Sequence, residues 1–322
     1  MAVLTYIDRE DAESLLAAYA LGPLLRIEPI AGGSVNSNFA LQSPSGRFFL
    51  RLYEERDLAG AREETAMLTR LGGRGVPTPV PLRRSDGGAV SVVRGKPAAL
   101  FPWRPGAMRC QAGVTADDAH RVGEALARVH AGGAGEVAAP GRFGFEPLLG
   151  RLDRIAGSGD ARFASKVPVL RDRLERARAA RDQGLPRGLT HGDLFRDNVI
   201  WDEGGGISAL LDFESACEDT CAYDLAVTLL AWCFGDGFQA PLLAAMCAGY
   251  RRVRPLTSAE VRGLHAEALF GSLRFTITRI TDFAMRAGAG GVPPAKDWRR
   301  FERRYEELES LGPAGFTAIL GL

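Results

Sequence analysis

The chain of 322 residues is 46% hydrophobic and 25% charged, which is typical of a globular protein, and its length suggests about two domains. Its 40 basic and 39 acidic residues leave a formal charge of +1, so no overall field attracts nucleic acid or an anionic membrane. The five cysteines form no CxxC pair, and the longest apolar stretch, within 225–234, is far shorter than a membrane span. We expect a cytoplasmic protein with neither nucleic-acid nor membrane partners.

The first hundred residues predict one helix followed mainly by strands. Asp8 can cap a helix whose apolar positions recur at helical spacing, and Gly22 ends it. Apolar or alternating runs predict five strands, over residues 24–30, 38–42, 47–53, 80–84 and 89–94. A second helix is predicted over 61–71. Antiparallel strands interrupted by one helix indicate a small α+β lobe.

A segment rich in proline and glycine, 101–106, is the best candidate for a linker. Beyond it, helices are predicted over residues 116–130, 167–183, 223–234, 241–252, 258–285 and 297–311. One strand-rich block, 188–213, interrupts them. The sequence therefore predicts an α+β fold with a sheet-rich N-lobe over 1–100, a hinge over 101–106 and a mainly helical C-lobe over 107–322.

The most informative motif begins at His191. The spacing H-x-D-x-x-x-x-N, formed by His191, Asp193 and Asn198, is that of a kinase catalytic loop. Phosphoryl transfer from ATP needs a carboxylate to accept the hydroxyl proton and oxygen ligands to hold Mg²⁺. We assign the first role to Asp193 and the second to Asn198 and to Asp212, which ends an apolar strand. His191 is expected to orient the loop by hydrogen bonding.

A glycine-rich segment joins two of the predicted strands in the N-lobe. Its candidate phosphate ligands are Gly32, Gly33, Ser34, Asn36 and Asn38. Glycine lets the backbone approach a phosphate closely, and the hydroxyl and amide side chains can donate hydrogen bonds. The same residues would also suit an ordinary β-turn.

The strand that ends at Tyr53 should carry a cation for the α- and β-phosphates, paired with a glutamate on the following helix. The cation is Arg51, and its partner is Glu64 or, less favoured, Glu63. Arginine can clamp a phosphate through two nitrogens, but it does not have the shape of lysine. The alternative is a solvent-exposed arginine in a surface ion pair.

With these motifs in place, the chain resembles the aminoglycoside-phosphotransferase-type kinases, which share a two-lobed protein-kinase-like fold. The catalytic loop is common to that superfamily, whereas 223–226, 232–234, Arg274 and Arg279 are closer to its bacterial homoserine kinases. This resemblance implies ATP-dependent phosphorylation of homoserine in threonine biosynthesis. It also implies that adenine lies against the hinge, near Leu100, Phe101 and Trp103. Three residues depart from the group: Arg196 where proline is common, Glu214 where an aromatic is common, and Arg51.

An amino-acid acceptor needs an anion beside its ammonium group and a cation beside its carboxylate. Candidates for the ammonium are Glu214, Asp219 and Glu218. Candidates for the carboxylate are Arg274 and Arg279, which lie about 500° apart on a helix at roughly 100° per residue. At most one of them should face the acceptor directly, and we favour Arg274 with Arg279 as support. Ordinary salt bridges on the helix surface are the alternative for both.

Two other kinase classes are disfavoured. The chain lacks G-x-x-x-x-G-K-[ST], and Gly192 replaces the arginine that protein kinases have in their catalytic loop. The sequence leaves open a kinase for choline, ethanolamine or an aminoglycoside, and a catalytically inactive nucleotide-binding module. The expected partner is a small-molecule alcohol, and the protein is expected to be a monomer or a homodimer.

Overall fold

The computed structural model describes residues 4–30, 35–136, 138–287 and 296–322. Gly32, Gly33 and Ser34, three of the expected phosphate ligands, lie outside the described residues. The chain forms two compact units. The first contains Met1–Ala107, Ile200–Gly204 and Ser208–Glu214, and the second contains Met108–Val199, Gly205–Ile207 and Ser215–Leu322. The first unit thus includes two segments from beyond residue 106.

The first unit is built on one antiparallel sheet with two helices. Its elements are α1 (Arg9–Ala18), β1 (Arg26–Pro29), β2 (Ser37–Ser43), β3 (Gly46–Leu52), α2 (Leu58–Gly73), β4 (Val90–Val93) and β5 (Lys96–Pro102). The strand order is β1-β2-β3-β5-β4. Asp8 caps α1 as expected, because its side chain accepts a hydrogen bond from the backbone N–H of Asp11.

The strand predicted over 80–84 is wrong, because this segment is irregular. Pro79 and Pro81 lack the N–H groups that a ladder requires at those positions. The segment is instead held by main-chain bonds from the N–H of Leu82 to the carbonyl of Leu100 at 2.8 Å and from the N–H of Arg84 to the carbonyl of Gly88 at 2.7 Å.

The alternation of side chains along β3 determines which face of the sheet carries Arg51. Leu50 and Leu52 are fully buried in the hydrophobic core that also contains Leu16 of α1. Because successive strand residues point to opposite faces, Arg51 projects from the other face of the sheet. Its partners in register are Asn38 on β2 and Ala99 on β5.

The remainder of the chain is mainly helical. It contains α3 (Ala116–Gly132), α4 (Phe145–Ala156), α5 (Ala161–Ala164), α6 (Val167–Ala180), β6 (Arg187–Thr190), β7 (Val199–Trp201), β8 (Ile207–Leu210), β9 (Cys217–Thr220), α7 (Cys221–Trp232), α8 (Ala240–Val253), α9 (Ser258–Asp282) and α10 (Arg299–Ile319). Strand β6 pairs antiparallel with β9, and β7 pairs with β8. All six helices predicted beyond the hinge are present, with ends that differ by a few residues.

Three features of this helical part differ from the prediction. Helices α4 and α5 were not predicted; Pro147 and Gly150 weaken the helical pattern of α4. Helix α10 continues past the predicted end at residue 311 through a kink at Gly312, where φ is 62°. None of the helices in the described part of the chain combines the length and hydrophobicity that a membrane span requires.

Two glycines set the spacing of α3 and α8 and provide a test of this packing. A Cβ at Gly123 would lie 2.1 Å from the carbonyl oxygen of Met246, and a Cβ at Gly249 would lie 2.0 Å from that of His120. We expect Gly123→Ala to lower the free energy of unfolding by about 1–3 kcal/mol through overpacking, measured by urea denaturation.

The matched control is Gly150→Ala on α4, where nothing lies within 4 Å of the added Cβ. This variant should be about 0.5–1 kcal/mol more stable than the parent, because alanine is the better helix former. A Gly123→Ala protein as stable as the parent would contradict the close approach of α3 and α8.

Candidate active site

In the first unit, Arg51 lies at the centre of a cluster of carboxylates. Its guanidinium is 3.2 Å from Glu64 and 3.9 Å from both Asp212 and Glu214, and its side chain is only 13% exposed. Burial opposes the charged form, but the three carboxylates outweigh it and raise the pKa of Arg51. The surface ion pair considered from the sequence is therefore wrong.

Glu64 is the glutamate that fixes Arg51, as the sequence predicted. Its carboxylate is buried, accepts a hydrogen bond from the Tyr53 hydroxyl at 3.1 Å, and lies 3.2 Å from the Arg56 guanidinium. Burial and the adjacent Glu64 raise the pKa of Tyr53, so its hydroxyl stays protonated and remains a donor. Neither Tyr53 nor Arg56 was predicted to belong to the site, because neither is part of a sequence motif.

Glu214 belongs to the same cluster. The Asn36 side chain donates to its carboxylate, and Arg56 donates to its backbone carbonyl at 3.1 Å. Asn36 in turn accepts the backbone N–H of Glu54 at 3.2 Å, while the Asn38 side chain donates to the Asn36 carbonyl at 3.4 Å. Glu214 thus has amide and cationic partners within the first unit, which weakens its assignment to an acceptor ammonium group.

Asp212, which the sequence predicted as a metal ligand, has an unusual backbone conformation. It follows β8 in a left-handed backbone conformation, with φ at 62°, which is strained for a residue other than glycine. Its Oδ1 is buried and accepts no hydrogen bond from the described residues. This oxygen lies 3.9 Å from the Arg51 guanidinium, and the Asp212 side chain as a whole is 38% exposed. Carboxylate oxygens are the type of ligand that Mg²⁺ prefers, which fits the predicted role of Asp212.

In the second unit, the catalytic loop is held by Asp224 at the start of α7. The Asp224 carboxylate accepts the backbone N–H groups of His191 and Gly192 at 2.6 and 2.8 Å. Gly192 has a φ of 72°, and a Cβ there would lie 2.8 Å from the Ser215 carbonyl oxygen, so no other residue fits. Protein kinases have an arginine at the equivalent position of their catalytic loop.

The remaining contacts of the loop orient its two proposed functional side chains. The amide nitrogen of Asn198 donates to the Asp193 carbonyl at 2.8 Å, which leaves the amide oxygen as the group able to bind a cation. His191 is fully buried, and its Nδ1 lies 3.3 Å from the Asp193 backbone nitrogen. This geometry agrees with a positioning role for His191, as the sequence analysis proposed.

A chain of buried polar groups extends from Asp224 into the second unit. His130 lies 3.0 Å from Asp224 through Nε2 and 2.7 Å from the Tyr250 hydroxyl through Nδ1. Burial opposes protonation of His130, but Tyr250 and Asp224 outweigh it and raise the pKa of His130 well above its ordinary value. Burial likewise favours the neutral form of Asp224. The hydrogen bond from His130 outweighs the effect of burial, so the pKa of Asp224 is lowered.

The two arginines of α9 are buried, so the surface salt bridges considered for them are wrong. Arg274 donates to the Gly192 carbonyl and, at 3.2 Å, to the Tyr223 hydroxyl. Arg279 donates to the Asp297 carbonyl at 3.2 Å. Asp193 contributes a negative charge that helps to keep both guanidinium groups protonated.

Asp219, a candidate for the acceptor's ammonium group, lies on β9. Its carboxylate is 3.0 Å from the Arg181 guanidinium and 3.8 Å from that of Arg187. Glu218, the other candidate on this strand, is also paired with Arg187, at 3.4 Å. Both carboxylates therefore already have cationic partners.

The expected adenine ligands differ in their environments. Leu100 is fully buried in the core, and its carbonyl accepts the N–H of Leu82 at 2.8 Å. Phe101 is also buried, with its ring 6.2 Å from that of Phe49. Trp103 is half-buried, and the Arg47 guanidinium lies 3.7 Å from its ring centre. The Leu100 side chain therefore belongs to the hydrophobic core of the first unit.

These features together define a phosphotransferase with a protein-kinase-like fold. A model of the phosphotransferase enzyme family matches residues 26–256, and the chain belongs to this family. It is 36% identical to a homoserine kinase of Gluconobacter oxydans, over 96% of this chain and 99% of the relative. It is also 37% identical to a homoserine kinase of Methylobacterium radiotolerans, over 94% of this chain and 95% of that relative.

The fold has solved counterparts. The amicoumacin kinase hAmiN in complex with AMP-PNP, Ca²⁺ and Ami matches with a TM-score of 0.73 at 14% identity, over 96% of this chain and 95% of that one. The family resemblance and the α+β kinase-like fold inferred from the sequence are confirmed.

The His130–Asp224 pair predicts a specific dependence of stability on pH. The contribution of His130 to the free energy of unfolding is fully present below about pH 6.5, where this histidine is protonated in both the folded and the unfolded protein. Above that pH the unfolded histidine is neutral while the folded one keeps its proton. The free energy of unfolding should then fall by about 1.4 kcal/mol per pH unit until the raised folded pKa is reached.

Urea denaturation of the parent and of His130→Gln at about pH 6, 7 and 8 measures this slope, which the variant should lack. His120→Gln is the control, since His120 lies half-exposed on the same helix without contacting Asp224. Equal slopes in the parent and in His130→Gln would rule out the charged pair.

Proposed function

We propose that this protein is an ATP-dependent homoserine kinase, which transfers the γ-phosphoryl group of ATP to the side-chain hydroxyl of L-homoserine. The observation that carries the proposal is the catalytic loop, in which Asp224 fixes the backbone that presents Asp193 and Asn198. Similarity to homoserine kinases over nearly the whole chain supports this acceptor.

The proposed mechanism gives each of these side chains one role. Asp193 accepts the proton of the acceptor hydroxyl as the hydroxyl oxygen attacks the γ-phosphorus. The bond from that phosphorus to the β–γ bridging oxygen breaks, and ADP leaves. Asn198 and Asp212 would hold Mg²⁺, which when bound neutralises charge on the phosphate oxygens. Arg51, held by Glu64, neutralises charge on the α- and β-phosphates. The protein thus contributes mainly position and electrostatic stabilisation.

An assay of ADP release with ATP and Mg²⁺ tests the reaction and the acceptor together. The panel contains L-homoserine, choline, ethanolamine and an aminoglycoside. We expect turnover with homoserine and little with the others. Turnover with another acceptor but not with homoserine would contradict the proposed substrate, and no ADP release with any acceptor would favour an inactive nucleotide-binding module.

The Asp193→Asn variant is the matched control for that assay. It should bind ATP as the parent does, because Asp193 is assigned to the acceptor hydroxyl and not to the nucleotide. Its kcat should fall by about a hundredfold to ten-thousandfold, as for the loss of a general base. Undiminished turnover would contradict the assignment of Asp193.

A separate prediction concerns the cation at Arg51. Arg51→Met should raise the KM for ATP by about tenfold or more, because three carboxylates would then face the phosphates without their central cation. Arg51→Lys should restore part of this loss, since its ammonium group supplies the charge but not the second contact.

The control for this pair is Arg26→Met on β1, an exposed arginine of the same sheet that is paired with Glu28. It should leave the KM for ATP unchanged. If Arg51→Met also leaves that KM unchanged while thermal unfolding shows a folded protein, Arg51 does not contact the nucleotide.

A further inference from the structure

The residue before the proposed general base is a glycine, which cannot restrict its own backbone. Gly192 has a φ of 72°, and it lacks the Cβ that limits φ and ψ in other residues. Because a peptide unit is planar, the position of Asp193 depends on the peptide that joins it to Gly192. Asp224 accepts the N–H of Gly192, which belongs to the preceding peptide. The peptide that carries Asp193 therefore needs an anchor of its own.

Within the loop, this second peptide has one local contact. The Asp193 backbone nitrogen lies 3.3 Å from Nδ1 of His191, only two residues earlier in the chain. A contact between such close neighbours moves with the loop, so it does not fix the loop to the rest of the fold.

Arg274 on α9 anchors the second peptide from outside the loop. Its Nη1 donates to the Gly192 carbonyl and, at 3.2 Å, to the Tyr223 hydroxyl. These two bonds use both hydrogens of Nη1. A hydrogen bond from a charged donor is also roughly twice as strong as one between neutral groups. The Gly192 carbonyl is thus held by a charged group on a separate helix.

The Arg274 side chain is itself held in place. The residue is only 3% exposed, and its guanidinium lies 4.2 Å from the ring centre of Phe143 and 4.3 Å from that of Phe275. Rings at this distance attract the cation and restrict the movement of its plane. The contact with the loop is therefore made by a buried and oriented group.

Tyr223 connects the two anchors of the loop. It precedes Asp224 directly, and both residues lie near the start of α7. Its ring packs edge-on against that of Phe270 on α9, with 6.0 Å between the ring centres. The same part of α7 therefore supports Asp224, which holds the peptide before Gly192, and Arg274, which holds the peptide after it.

We propose that Arg274, braced by Tyr223, is a positioning residue that fixes Asp193 by holding the Gly192 carbonyl. This inference rests on the proposed kinase function, in which Asp193 is the base. It gives Arg274 a different role from the one expected from the sequence, which was to bind the carboxylate of the acceptor.

Steady-state kinetics of Arg274→Gln distinguish the two roles. We expect kcat with homoserine to fall by about tenfold to a hundredfold, because the base is no longer held in its reactive position. The KM values for homoserine and for ATP should stay within about twofold of those of the parent. A rise of about tenfold or more in the KM for homoserine at unchanged kcat would overturn the proposal in favour of an acceptor ligand.

A second variant keeps the proposal testable if Arg274→Gln does not fold. Tyr223→Phe keeps the buried ring and removes only the hydroxyl that braces Arg274. Its kcat should fall by about threefold to tenfold, again with both KM values unchanged. An unchanged kcat in Tyr223→Phe would overturn the proposed bracing.

The control for the loss of a buried arginine is Arg304→Gln on α10. Arg304 is also 3% exposed, but it donates to the Leu230 carbonyl at 2.8 Å and not to the catalytic loop. Its loss should leave kcat and both KM values unchanged. If Arg304→Gln lowers kcat as much as Arg274→Gln does, the effect is a general loss of packing and the positioning role is overturned.

Hydrogen exchange separates this inference from the proposed function, because it needs no substrate. The backbone amides of 191–195 should exchange about tenfold faster in Arg274→Gln and Tyr223→Phe than in the parent, while those of α3 are unchanged. If no acceptor is phosphorylated but these amides respond as expected, the kinase function is wrong and the loop anchor stands. Unchanged exchange of 191–195 in both variants would overturn the anchor, whichever acceptor is used.

Discussion

The carboxylate of Asp224 is the interaction on which the catalytic half of the molecule depends. A buried charge is unfavourable unless hydrogen bonds and a counter-charge compensate it, and Asp224 has both, from two loop N–H groups and from His130. Because the loop has no regular ladder of its own, these bonds replace secondary structure. Helices α3, α7 and α8 must therefore keep their spacing for the loop to keep its shape, and Gly123 and Gly249 permit the close approach of α3 and α8.

The carboxylates around Arg51 outnumber the cations that they face. Around Arg51, three carboxylates meet two guanidinium groups, so the first unit has an excess of negative charge that suits a divalent cation. A folded protein tolerates such unpaired charge where a ligand supplies the missing partner, which is why perturbed groups collect at functional sites.

The features that could be predicted from the sequence are those encoded by short spacings. The pairing of Arg51 with Glu64 and the periodic helices were predicted correctly because each depends on residues that lie close together in the chain. The strand expected over 80–84 failed because its apolar pattern concealed the missing N–H groups of alternate prolines. The burial of Arg274 and Arg279, and the partners of Glu214, depend on residues far away in the chain, for which one sequence holds no signal.

Residue 51 must face two anionic groups at once, which arginine can do better than lysine. Two of the three lysines are committed elsewhere: Lys96 lies 3.3 Å from Glu54, and Lys166 lies 3.2 Å from Glu302. A lysine has one nitrogen, which Glu64 would largely occupy. The guanidinium of Arg51 contacts Glu64 through Nη1 and still directs Nη2 towards Asp212, so one side chain can serve the structural carboxylate and a second anion together.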